Sequence, residues 1–154
     1  MKDKNWMESM EELGNIRLFC SLHLKKARKG ALTSAQEVDM LFRIALSVHP
    51  MTPLELSHEM GISKTIISHL IENMNSRGLI EKGHNQEDKR SYFLKITEKG
   101  KEELDSMYYY YLNPLYALKE NLGKKDYRQL ITLINAANTA MIASQSTAKQ
   151  ASSK

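Results

Sequence analysis

The stretch TPLELSHEMGISKTIISHLIENMNSRG, residues 52–78, leaves few folds open. Thr52, Pro53 and Glu55 supply an N-cap, a first-position proline and a capping-box glutamate, so a short helix starts here. It runs to about Met60, where Gly61-Ile62 interrupts and Ser63 caps a second helix. In that second helix Ile66, Ile67, Leu70, Ile71 and Met74 fall within about 140° of arc, which predicts one buried stripe. Thr65, Ser68, His69 and Glu72 occupy the opposite side. Gly78 stands where a C-terminal glycine ends a helix. Two helices joined by a short glycine-containing turn are the helix-turn-helix arrangement.

The next residues make that reading more specific. Leu79 to Lys82 and Ser91 to Ile96 read as the arms of a β-hairpin, the second alternating Tyr92, Leu94, Ile96 against Ser91, Phe93, Lys95. Between them, residues 83–90 hold two acids, two bases, Asn85 and Gln86, with no apolar anchor. A solvated hairpin tip would account for such polarity; so would a wing that touches nucleic acid. An α-helix fits the major groove with its N-terminal residues toward the bases, while a β-ribbon tip reaches the neighbouring minor groove. The expected class is mainly α with a small β-hairpin wing, a winged helix-turn-helix flanked by further helices.

Those flanking helices are legible as periodic apolar runs. Leu13, Ile16, Cys20 and Leu24, joined by Phe19 and His23, predict a first helix ending at Lys29-Gly30. Ser34 with Glu37 forms a capping-box pattern, and Val38, Leu41, Phe42, Ala45 and Leu46 follow on one face until His49-Pro50. Thr97 caps a helix with Leu104, Met107, Tyr108, Tyr111 and Leu112, and Asn113-Pro114 is expected to kink or break it. A last helix carries Tyr127, Leu130, Ile131, Ile134, Ala137 and Met141. The polar residues 144–154 are expected to be a disordered tail.

Composition narrows the function. At 154 residues and 42% hydrophobic the chain suits one domain, burying roughly 68 to 70% of its unfolded surface. The net charge of +4 favours anionic partners. Residues 61–95 hold 6 Lys and Arg against 4 Asp and Glu, and lie between segments 31–60 (1 against 4) and 96–123 (3 against 5) that are net negative. A single cysteine excludes an intramolecular disulfide, and no apolar run suits a signal peptide or a bilayer span, so a cytoplasmic location without membrane is expected. Neither a phosphate-cradling glycine loop nor a catalytic constellation is present, so no enzyme activity and no cofactor are expected. The five histidines form no i, i+4 pair and have no cysteine partners at zinc spacing, so no metal site is expected.

The stretch GLIEKGHNQEDKRSYFLKITEKG, residues 78–100, resembles the wing signature of the MarR family of bacterial transcription regulators. Its matching residues are Gly78, Leu79 and Ile80, then Asp88 and Arg90, then Ile96 in place of the usual Leu, Thr97 and Gly100. The resemblance implies a homodimer held by the first and last helices, with two winged lobes on a palindromic operator in double-stranded DNA. It divides the chain into an N-terminal dimerisation helix (1–30), the winged helix-turn-helix region (31–97) and C-terminal dimerisation helices (98–143). By carry-over Asp88 braces the wing and Arg90 approaches DNA. With Thr52, Ser63, Lys64, Thr65, Ser68, His69, Asn85 and Lys89 these make up the expected DNA-binding set, because recognition-helix first turns and wing tips are where base and phosphate contacts concentrate. The expected function is a transcriptional regulator, most simply a repressor. A winged helix used only for protein contacts is the rival.

Two further features have competing readings. The run Tyr108 to Tyr111 covers a full helical turn, so two rings are expected to pack in a dimer interface. Alternatively, Tyr108 and Tyr111 with His23 and Met40 line a pocket for a small aromatic effector, as the family often has. The resemblance also invites comparison with the family's peroxide-sensing branch, which keeps a reactive cysteine in the first helix. Cys20 lies on the apolar stripe, so a buried core thiol is expected.

Overall fold

A computed structural model describes residues 5–26, 29, 31–84 and 92–151, with side chains as far as 144. The chain divides into two compact units, Met1–Leu112 and Asn113–Lys154.

The first unit holds α1 (Trp6–His23), α2 (Ala35–Leu46), α3 (Pro53–Met60), α4 (Lys64–Ser76), β1 (Ile80–His84), β2 (Tyr92–Ile96) and the start of α5 (Glu98–Ala151). Its core is assembled from Val38, Met40, Leu41 and Ile44 of α2, Leu56 of α3, and Ile67, Ile71 and Met74 of α4. Met51, Leu79, Ile80, Leu94, Leu104 and Met107 complete it. Burying each such side chain fully contributes about 1.5 to 3 kcal/mol, so this cluster is what holds the unit together.

Local signals set the helix ends. Ser34 accepts from the Glu37 amide while the Glu37 carboxylate accepts from the Ser34 amide, and Thr52 and Glu55 repeat the arrangement at α3. Gly61 takes the left-handed conformation between α3 and α4. At the end of α4, Gly78 at φ 72° lets the Leu79 amide reach the Met74 carbonyl and its own amide reach that of Asn75, a Schellman closure. The chain then passes directly into the antiparallel pair β1–β2, in which Ile80 faces Ile96 and Lys82 faces Leu94. The Leu94 amide also bonds the Met51 carbonyl at 2.8 Å, tying the hairpin to the loop before α3.

Five expectations need correction. Helix α1 ends at His23, with Leu24 extended, instead of reaching Lys29-Gly30. Nothing in α1 is buried, so Cys20 is exposed and not a core thiol. The buried face of α2 is Glu37, Val38, Met40, Leu41 and Ile44, and Ala45 and Leu46 face outward. Ile66 sits at the edge of the α4 stripe and is 41% exposed.

The fifth correction falls in the second unit, where the helical assignment passes through Asn113 and Pro114 and the one non-helical backbone is Gly123, at φ 77° and ψ 163°. Glycine can enter a backbone region closed to other residues, which is where the helical path is interrupted. The helix continues to Ala151, into the stretch for which disorder was expected; Ala, Gln and Lys are good helix formers. No helix among the described residues is long and apolar enough to cross a membrane.

Glu55 offers a test of the α3 cap. The Thr52 amide, with help from the Thr52 hydroxyl and His49, holds its carboxyl below the usual glutamate range. A depressed pKa contributes stability at neutral pH that is lost as pH falls through the folded value. Because the side chain is 44% exposed, the effect is small, under about 1 kcal/mol. Glu55→Gln is therefore expected to be less stable than the parent at pH 7, with the gap narrowing below the ordinary glutamate range in chemical denaturation.

Candidate nucleic-acid interface

Thr65, Ser68, His69 and Glu72 are exposed on α4 and share about 100° of its circumference, opposite Ile67, Ile71 and Met74. The buried stripe presses α4 onto α3 and β1, so the polar face is presented on a rigid support. Ser63 caps the helix by accepting from the Ile66 amide at 3.3 Å. Lys64 follows in the first turn, where the helix end carries partial positive charge and no acid offsets it. A cation there costs about 0.3 to 1 kcal/mol, a cost that an incoming anion would reverse. Ser68 donates to the Lys64 carbonyl at 2.9 Å, leaving its oxygen outward as an acceptor. Thr52 lies one helix away, and its hydroxyl is engaged by both the amide and the carboxylate of Glu55.

The wing rises from the end of this helix. Phe93 lies across Gly83 so closely that a Cβ on that glycine would stand 2.2 Å from the ring. Lys82 donates to Glu72 of α4 and lies 5.1 Å over the Tyr92 ring. The expected wing-tip residues Asn85, Asp88, Lys89 and Arg90 lie outside the described residues.

A buried polar node, absent from the expectations, orients the other end of α4. Arg77 donates to the Leu32 carbonyl (3.1 Å), the Thr33 hydroxyl (2.6 Å) and the Glu37 carboxylate (3.4 Å). Asn73 donates to the same Glu37 oxygen, and the Thr33 hydroxyl donates to the Glu103 carboxylate on α5. Thr33 is 0% and Glu37 2% exposed, so these two acceptors are withdrawn from water, whereas Arg77 and Glu103 are half-buried and Asn73 is exposed. The node joins the segment before α2, the start of α2, the end of α4 and the second turn of α5. The capping-box pattern pointed to Glu37, but nothing in the local sequence indicated its distant partners.

None of the four residues expected to line an effector pocket borders the two recesses found among the described residues. Met40 is sealed in the core at 0% exposure, because the inward face of α2 runs through it. His23 stacks on Phe19 at 4.6 Å between ring centres, Tyr111 packs against the core and edge-on to Tyr110, and Tyr108 is exposed. Two recesses among the described residues are lined by other side chains, one by Phe42, Arg43 and Val48 and the other by Lys124, Arg128 and Leu133.

Comparison with known proteins agrees with this architecture. Residues 34–100 match the family model described as a winged helix DNA-binding domain. The HTH-type transcriptional repressor YetL of Bacillus subtilis is 23% identical over 86 residues, 56% of this chain and 52% of that protein. The transcriptional repressor MprA of Escherichia coli is 38% identical over 56 residues, 36% of this chain and 32% of that protein. The chain thus spans about half or less of the curated relatives it matches. Among solved structures, AbsC, a MarR family transcriptional regulator from Streptomyces coelicolor, superposes with a TM-score of 0.72 at 19% identity, over 92% of this chain and 96% of that one. The helix order, the hairpin following the second helix of the turn, and these matches together show a winged-helix arrangement at residues 34–100, in a fold shared with the MarR family regulator AbsC.

Proposed function

We propose that the chain is a transcriptional regulator, most simply a repressor, that binds double-stranded DNA at a palindromic site as a homodimer. The observation that carries this is the exposed first half of α4, where Lys64 sits uncompensated at the positive helix end beside Thr65, Ser68 and His69. In the major groove Lys64 and the Ser63 end of the helix meet phosphate, and Thr65, Ser68 and His69 face base edges. Asn85, Lys89 and Arg90 of the wing tip reach the flanking minor groove, with Asp88 bracing Arg90. The fold and its relatives are those of DNA-binding regulators and not of an enzyme.

Dimerisation is supported by apolar side chains left exposed in each unit separately: Met10, Leu13 and Ile16 on α1, and Leu133 and Met141 in the second unit. Faces of that kind are commonly covered by a second copy. Release by an aromatic effector would draw on His23, Tyr108 and Tyr111, without Met40.

Salt and sequence dependence test the reading. Arg90→Ala is expected to weaken binding to all duplexes alike and to reduce the slope of log affinity against log salt by about one unit. Thr65→Ala and His69→Ala are expected to alter the motif recovered by selection from a random duplex pool. An unchanged slope would remove Arg90 from the interface, an unchanged motif would remove the two readers, and salt-independent association would favour a protein partner.

A further inference from the structure

We infer that Glu72 and Lys82 form a latch that sets the base of the wing against α4, making Lys82 a positioning residue and not a phosphate contact; the inference rests on the DNA-binding reading above. A lysine on the strand leading into a wing would ordinarily be assigned to the DNA backbone. Its surroundings argue otherwise. Lys82 donates to the Glu72 carboxylate and lies over the Tyr92 ring, and its side chain is only 27% exposed. Its charge and its stem are both occupied.

Glu72 is the other half of the argument. It shares the α4 face with Thr65, Ser68 and His69, where a bare carboxylate would repel phosphate. Pairing with Lys82 cancels that charge locally, so the acid is tolerated on a face turned to a polyanion. The geometry also explains why the pair can transmit position. Lys82 sits across from Leu94, whose amide is bonded to Met51, so the strand at this point is fixed to the core. Tyr92, beneath the ammonium group, is the residue at which β2 begins, on the side of the wing tip. Helix, outgoing strand and returning strand therefore meet at one ammonium group. The hydrogen bond that Lys82 donates to Glu72 raises the lysine pKa, so its ammonium group stays charged across the neutral range.

The test uses the full chain with Lys82→Gln, Glu72→Gln and both together. Without DNA, each single change is expected to speed amide exchange in β1 and β2 by about three- to fivefold, the range open to a partly exposed ion pair, with the double variant no faster than either single. With duplex DNA, Lys82→Gln is expected to bind more weakly at an unchanged salt slope. A slope lower by about one unit would make Lys82 a phosphate contact and overturn the proposal. So would additive exchange effects, or none. If the unaltered chain binds DNA without salt dependence, the DNA-binding reading fails, while the DNA-free exchange still judges the latch.

Discussion

Gly100→Ala is expected to destabilise the chain by about 3 kcal/mol and to lower its melting midpoint by roughly 10 °C, despite placing a better helix former in a helix. Gly100 lies in the first turn of α5, where alanine would ordinarily gain about 1 kcal/mol over glycine. Here a Cβ would stand 2.1 Å from the Leu79 carbonyl oxygen and 2.7 Å from Ile96 Cγ1. The oxygen cannot step aside cheaply, because it accepts from the Thr97 amide and hydroxyl. The same hydroxyl caps α5 by accepting from the Gly100 amide at 3.1 Å. One methyl group therefore attacks the joint at which α4 ends, the hairpin begins and α5 starts. Thermal melting by circular dichroism checks this, and an unchanged or raised midpoint would mean that the helix and the strand do not approach so closely.

Glu37→Ala is expected to cost about 3 kcal/mol, because it breaks a buried ion pair and a helix cap together. The Ser34 amide and Asn73 would lose this acceptor and Arg77 one of its three, at a carboxylate that is itself buried. Glu37→Gln keeps the shape and an acceptor oxygen, so it should fall between the parent and alanine. Urea denaturation measures both. In DNA binding the account expects weaker affinity at an unchanged salt slope, since Glu37 orients α4 and meets no phosphate. A loss under about 0.5 kcal/mol, typical of an exposed surface site, would show that the node is solvated and does not orient the helix.

What the sequence revealed, and what it hid, follows the range of the interactions. Capping boxes, the glycine closing α4 and the alternation of β2 are written within a few residues, and Ser34, Thr52, Ser63 and Gly78 do what their neighbours predict. Thr97 and Gly100, noted as parts of a family pattern, gain a physical reason from the Leu79 carbonyl they both crowd. Arg77 was hidden because its partners lie as much as 45 residues away, and Lys82 because a basic residue in a wing suggests DNA before it suggests a glutamate. Periodicity also misjudged edges. Ile66 belongs to the apolar arc by angle yet borders solvent, and Leu46 continues the α2 pattern after the core has ended. Cys20 was read as buried because its stripe is apolar, and the chain by itself does not cover that stripe.

The polar side of α4 is the claim on which the rest depends, and crosslinking addresses it most directly. A photo-reactive side chain placed in turn at Thr65, Ser68 and His69, with Tyr109 and Leu133 as exposed reference positions, would be irradiated with a duplex recovered by selection. The account predicts strong crosslinks from the three α4 positions, falling steeply as salt is added, and little from the two references. Equal yields from all five, or yields confined to the references, would contradict it.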